Sequence, residues 1–260
     1  MSEFDLLHSN GIRIPHLSAS TVNSFIQDRF GFYQSKVLGA PFTGNQYTCR
    51  GTAVEGAVNR WIETGCEKFE DNALAIFHEE FKKTGMHPLE AEDVLETIPK
   101  LARLAGNFYM DEFATTKAVT QHKINVNLEG VKRPIIGYLD FYQPSLRVRD
   151  SKVVSKTPSK LSQPYVLQGA LYNLATGLPV VFDFFVPNQK ASHKPILLTD
   201  EDIEFGISYL TAAAKAIEEL EQCDNPKRVM ELMSFPNLDA FYNVKDKRKA
   251  ANAWGIKLKF

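Results

Sequence analysis

The 260-residue sequence predicts an α/β core with a helical N-terminal extension. Three observations carry this reading. Apolar residues recur at helical spacing through residues 1–118. The period then shortens to two in three successive segments. A helix, an apolar strand and a long helix follow, with no clear linker between the parts.

HLSASTVNSFIQDRFGFYQSKV reads as a capped helix. Ser18 or Ser20 can accept bonds from its first free amides, and Val22, Phe25 and Ile26 form its stripe. GTAVEGAVNRWIETG is a second helix, with Val54, Val58, Trp61 and Ile62 as the apolar side and Gly65 as the stop. Helical patterns continue through DNALAIFHEEFKKTG and LEAEDVLETIPKLARLAGNFYMDEF. AVTQHKINVNLEG alternates as a strand does. PIIGYLDFYQPSLRVRDSKVVSKT, residues 134–157, reads as two more strands joined by a tight turn at Pro144 and Ser145. SQPYVLQGALYNLATG returns to helix, with Pro164 where a helix start tolerates it and Leu167, Leu171 and Leu174 expected toward the core. LPVVFDFFVPN is a buried strand, and TDEDIEFGISYLTAAAKAIEELEQ a long acidic helix.

With 44% hydrophobic and 23% charged residues and no fixed repeat, the composition is that of a folded, soluble protein. The opening MSEFDLLHSN lacks the basic-then-apolar pattern of a secretory signal, and no run of roughly 18 apolar residues suggests a membrane span. A cytoplasmic location is expected, or the host cytoplasm for a phage-encoded chain. Cys49, Cys66 and Cys223 are odd in number and widely spaced, which implies a reducing compartment and offers no zinc-type pair. The six histidines show neither HxH nor HExxH spacing. No phosphate-binding GxxxxGK[ST] loop and no GxSxG elbow is present, so neither a helicase motor nor a serine hydrolase is indicated. The net charge of -1 says nothing of a polyanionic partner. From Asn225 to Phe260, however, eight Lys and Arg stand against three acids with aromatics interleaved. Such a tail can track a phosphate backbone, the alternative being a solvated terminus.

The hairpin carries the chemistry. Strand side chains alternate faces, so Tyr138, Asp140 and Tyr142 share one face of the first strand, and Val148, Asp150 and Lys152 one face of the second. A hairpin centred on Ser145 sets Asp140 opposite Asp150. Two carboxylates about 5 Å apart repel by roughly 3 kcal/mol at an effective dielectric near 20, and like charges facing each other destabilise a sheet. A proton, a cation or a bridging metal relieves this. Oxygen ligands of this kind suit Mg²⁺ or Mn²⁺, and Lys152 can hold or help deprotonate an attacking water. Two acids, a lysine and an open metal position make a site for phosphodiester hydrolysis. The spacing Asp-x-Lys is weak alone: Glu80-Phe81-Lys82 repeats it on a predicted helix. A hairpin whose polar face is simply solvated, with Lys152 bridging the acids, is the alternative.

These blocks resemble the PD-(D/E)XK nuclease superfamily, in the branch of the RecB and AddB nuclease domains, phage lambda exonuclease and CRISPR-associated exonucleases. The likeness rests on LSASTVNSF, GTAVEGAVNRW, GYLDF followed by RVRDSKVV, and QGALY, in that order, over roughly residues 15–190. It implies a restriction-endonuclease-like core, a mixed sheet flanked by helices in αβββαβ order. It also implies that Asp140, Asp150, the carbonyl of Ser151 and Glu55 bind metal, with Lys152 catalytic beside Asp140, Asp150 and Glu55. Glu55 takes the place where many relatives have His and lambda-exonuclease-like ones have Glu. Gln168 and Tyr172 match a Q-x-x-x-Y block that orients the site or touches the substrate backbone. Lys156 and Lys160 are candidate phosphate contacts, a solvated loop being the alternative. The sequence departs from the family pattern in having Val153 where a threonine is usual. Three scattered cysteines cannot supply the four that iron–sulfur relatives use, so no iron–sulfur cluster is expected.

The expectation is therefore one nuclease domain over residues 1–260, divided into a helical part (1–118) carrying Glu55, a catalytic sheet core (119–190) and a C-terminal helix with basic tail (191–260). The resemblance implies a Mg²⁺- or Mn²⁺-dependent deoxyribonuclease, an exonuclease acting in DNA recombination, repair or phage DNA metabolism. The partners it implies are DNA with a free end and recombination or replication proteins, and no membrane. The alternatives are a site-specific or structure-specific endonuclease, and a non-catalytic nucleic-acid-binding module of the same fold.

Overall fold

The computed structural model describes residues 16–37, 44–187 and 192–234, with Ile14 and Gly39. The chain divides into two compact units that interleave in sequence: Met1–Phe42 with Asn127–Ile135 and Tyr209–Phe260, and Thr43–Val126 with Ile136–Ser208. The basic tail lies outside the described residues.

In the first unit a two-residue strand β1 (Leu17–Ser18) leads into α1 (Ala19–Gln27). Ser18 is the cap, its hydroxyl accepting from the Thr21 amide at 3.0 Å. The same unit holds the later part of α6 (Asp200–Glu221) and α7 (Pro226–Met233). Buried Glu218 accepts from the main-chain amides of Lys132 and Arg133, fixing the 127–135 segment to that helix.

The second unit begins with three helices, α2 (Gln46–Thr64), α3 (Phe69–Thr84) and α4 (Ile98–Glu112). Asn45 caps α2, which begins at Gln46, five residues earlier than the Gly51 start of the quoted helical block, and Gly65 ends it at φ +73°. The helical pattern from Leu89 to Phe113 is broken by its own proline. Pro99 has no amide to donate and restarts the helix in the first turn of α4, after short turns at Pro88–Ala91 and Glu92–Leu95. Ala53 and Ala57 of α2, Phe77 of α3 and Ile98 and Ala102 of α4 pack as one core. Gly106 lets α4 meet the buried Phe69 ring, since a Cβ there would lie 2.5 Å from it.

The strands of this unit are β2 (Val119–Val126), β3 (Ile135–Gln143), β4 (Arg147–Val153), β5 (Val180–Val186) and β6 (Ser192–Leu197). They run β3-β4-β5-β6, with β2 also paired to β3. The β3–β4 and β5–β6 pairs are antiparallel and β4–β5 is parallel, so the sheet is mixed. The crossover from β4 to β5 is α5 (Gln163–Thr176). This is the expected αβββαβ order, with β6 added at its end. β6 is short, half polar and carries Pro195, so it has little strand signature in the sequence.

Strand alternation sorts the core. Phe182 and Phe184 face Tyr165 of α5, while Phe141 and Phe185 join Val54, Val58, Leu101 and Tyr109 from the helices. Each of these phenylalanines is fully buried, contributing roughly 1.5–3 kcal/mol apiece. Leu167 and Leu171 are buried as expected, but Leu174 is 42% exposed. The contact is made instead by Tyr172, 3% exposed.

Candidate active site

The hairpin turn fixes everything after it. Leu146 N–H returns to the Gln143 carbonyl at 3.1 Å, and Ser145 sits at φ +62° behind Pro144. Proline first and a left-handed residue second make a reversal of type II character. The pairs Phe141↔Arg149, Tyr142↔Val148 and Gln143↔Arg147 centre the hairpin on Ser145. One step further along that register lie Asp140 and Asp150.

Both acids are buried, Asp150 completely and Asp140 to 8% exposure. Asp140 Oδ2 accepts from the Ser151 amide at 3.1 Å. Lys152 Nζ forms an ion pair with Asp150 Oδ1 and lies 5.8 Å from the centre of the Tyr165 ring. Neither Asp150 oxygen accepts a hydrogen bond of ordinary geometry. Burial, then the charges of Asp150 and Glu55, push the Asp140 carboxyl well above the usual carboxylate range. Burial raises Asp150 as well, with Lys152 opposing. The ammonium of Lys152 suffers from burial, yet Asp150, Asp140 and Glu55 more than offset it and raise its pKa. Lys152 is thus a firmly protonated donor in the metal-free protein.

Glu55 approaches from α2. Its Oε1 accepts from Gln121 Nε2 at 2.8 Å. Burial first, then the Asp150 charge, raises its pKa, so Glu55 lies within electrostatic reach of the acid pair. From α5, Gln168 Nε2 donates to the Tyr172 hydroxyl at 2.6 Å, and that hydroxyl donates to the Tyr138 carbonyl at 2.7 Å. The two residues therefore pin α5 to the strand carrying Asp140. Lys156 and Lys160 are exposed in the loop between β4 and α5.

The structure thus brings Glu55, Asp140, Asp150, Ser151 and Lys152 into one neighbourhood, braced by Gln168 and Tyr172. Among the described residues, no three His, Cys, Asp or Glu side chains converge as a ready-made metal shell.

Sequence reasoning missed a second polar cluster on the opposite side of β4. Ser151 pairs with Asp183 of β5, whose buried carboxylate takes Arg149 Nη1 at 2.8 and 2.9 Å. Tyr109 O–H donates to it at 3.1 Å, and His193 Nε2 lies 2.9 Å away. Arg149 also meets Glu112 at 2.9 Å. The available signal was an acid inside the apolar run VVFDFFV, since a buried charge demands a partner.

No protein-family model matches this chain, and no curated protein does. Among solved structures, a protein named "Putative exonuclease" from Eubacterium rectale is similar, with a TM-score of 0.58 over 87% of this chain and 91% of that one at 14% identity. At that identity the likeness is one of fold, and the fold is the α/β restriction-endonuclease-like core. A second structure, SSO0001, aligns over 64% of this chain and 74% of its own at 14% identity, but its TM-score of 0.34 carries no argument. No helix among the described residues is long and apolar enough to cross a membrane.

Proposed function

We propose that this chain is a divalent-metal-dependent DNA nuclease of the RecB and lambda-exonuclease type, acting as an exonuclease in recombination, repair or phage DNA metabolism. The observation that carries the reading is the Asp140–Asp150 pair. Two carboxylates are buried side by side, and a single ammonium, that of Lys152 paired with Asp150 Oδ1, stands against them. Such an arrangement costs stability, and a cation binding there offsets that cost. The "Putative exonuclease" of the same fold supports the choice of chemistry.

The donors fit Mg²⁺ or Mn²⁺, which are held by one or two carboxylates and keep other positions for water or substrate phosphate. Asp140, Asp150 and the Ser151 carbonyl would hold the ion, with Glu55 completing or sharing the shell. When bound, the ion supplies Lewis acidity and a more acidic water for attack on phosphorus. Lys152, protonated and held by Asp150, stabilises negative charge developing on the phosphate and orients the water rather than taking its proton. Lys156 and Lys160 contact substrate phosphates beyond the cleaved bond. Gln168 and Tyr172 hold the Asp140 strand in place.

End-labelled linear DNA and closed circular DNA, digested with Mg²⁺, Mn²⁺ or EDTA, test the reading. The expected result is metal-dependent loss of the linear substrate, abolished in Lys152→Ala, while the circle survives. Cutting of the circle would establish an endonuclease instead. DNA binding without cleavage under any metal would leave only a binding module.

A further inference from the structure

Gln121 interrupts β2 with a φ of +50°, left-handed backbone in the middle of a strand. An L residue with an ordinary side chain is disfavoured there, and glycine or asparagine would be the economical choice. The packing of β2 does not ask for glutamine, because Gln121 is exposed. Its carboxamide makes one specific contact, the 2.8 Å bond from Nε2 to Glu55 Oε1. A kinked residue that re-aims a side chain is what strands beside functional sites use bulges for.

We infer that Gln121 is a positioning residue whose left-handed backbone aims its amide at Glu55 Oε1, presenting the remaining lone pairs of Glu55 to a divalent cation at the Asp140–Asp150 pair. The inference rests on the nuclease reading. It assigns the strain a purpose: local backbone cost is accepted for the orientation of a metal-binding carboxylate.

Gln121→Asn and Gln121→Gly relax the backbone but cannot reach Glu55, whereas Gln121→Glu keeps the length and replaces the donor with a like charge. All three should raise the Mn²⁺ concentration for half-maximal cleavage by about tenfold. All three should also shrink the rise in Tm that Mn²⁺ gives the wild type. In EDTA, the Asn and Gly variants should melt at or up to about 2 °C above the wild type. A merely structural glutamine would lower that Tm and leave the metal response alone. A wild type that cleaves and is stabilised by Mn²⁺, with Asn and Gly variants matching it on both counts, overturns the inference while the nuclease reading stands. A wild type that shows neither response overturns both.

Discussion

The Ser151 amide donates to Asp140 Oδ2 at 3.1 Å, so the residue following one buried acid holds the other. The carboxylate of Asp140 therefore cannot swing away from Asp150 without giving up a buried main-chain bond. The repulsion between the acids is locked into the native state.

Relieving that repulsion should stabilise the protein at the expense of its activity. Asp140→Asn keeps an oxygen for the Ser151 amide and removes the charge. Allowing for the lost attraction to Lys152, the variant in EDTA should gain about 1–2 kcal/mol, a Tm rise of roughly 2–6 °C. Its Mg²⁺-dependent cleavage should fall at least a hundredfold, on the scale of electrostatic contributions to catalysis. Calorimetry in EDTA decides it, and a variant less stable than the wild type would show that the acids stabilise the sheet.

The advantage of that variant should depend on pH. Asp140 has an ordinary value of 3.8, and burial followed by the charges of Asp150 and Glu55 raises it in the folded protein. A carboxyl with a raised native pKa binds its proton more tightly folded than unfolded, so stability falls as pH climbs from the ordinary value through the native one. Wild type and Asp140→Asn should be nearly equal near pH 4 and diverge as the pH rises above the ordinary carboxylate range, the direction set by that upward shift. Urea unfolding in EDTA over that rise in pH measures the difference, and one that shrinks with rising pH contradicts the assignment.

The polar cluster behind Ser151 should be essential to folding. Asp183→Ala strips Arg149, Tyr109 and His193 of a shared acceptor and should cost about 3–5 kcal/mol. Asp183→Asn retains one acceptor oxygen and should cost less. Urea denaturation of the two variants is the check, and a loss under about 1 kcal/mol in Asp183→Ala would mean that Glu112 alone satisfies Arg149.

What was legible in the sequence followed from local rules. Alternation and the Pro144-Ser145 turn placed the hairpin on its observed centre, and with it Asp140 beside Asp150. Ser18 and Gly65 marked helix ends through cap chemistry that needs no tertiary contact. What was hidden depends on partners far away in the chain. The carboxylate of Asp183 is explained only once Tyr109 and Arg149 are beside it, 74 and 34 positions away. Tyr172 carries a polar hydroxyl at a position that looked outward, yet the Tyr138 carbonyl draws it into the core in place of Leu174. The left-handed turn at Gln121 has no sequence signal, because glutamine is not a residue that announces positive φ.

The most direct measurement is isothermal titration of Mn²⁺ into the wild type, Asp150→Asn and Lys152→Ala, without DNA. A cation site at the acid pair predicts saturable binding to the wild type, at least tenfold weaker binding to Asp150→Asn, and retained binding in Lys152→Ala. An absence of binding to the wild type, or equal binding to Asp150→Asn, would contradict the claim that these buried acids are kept for a metal.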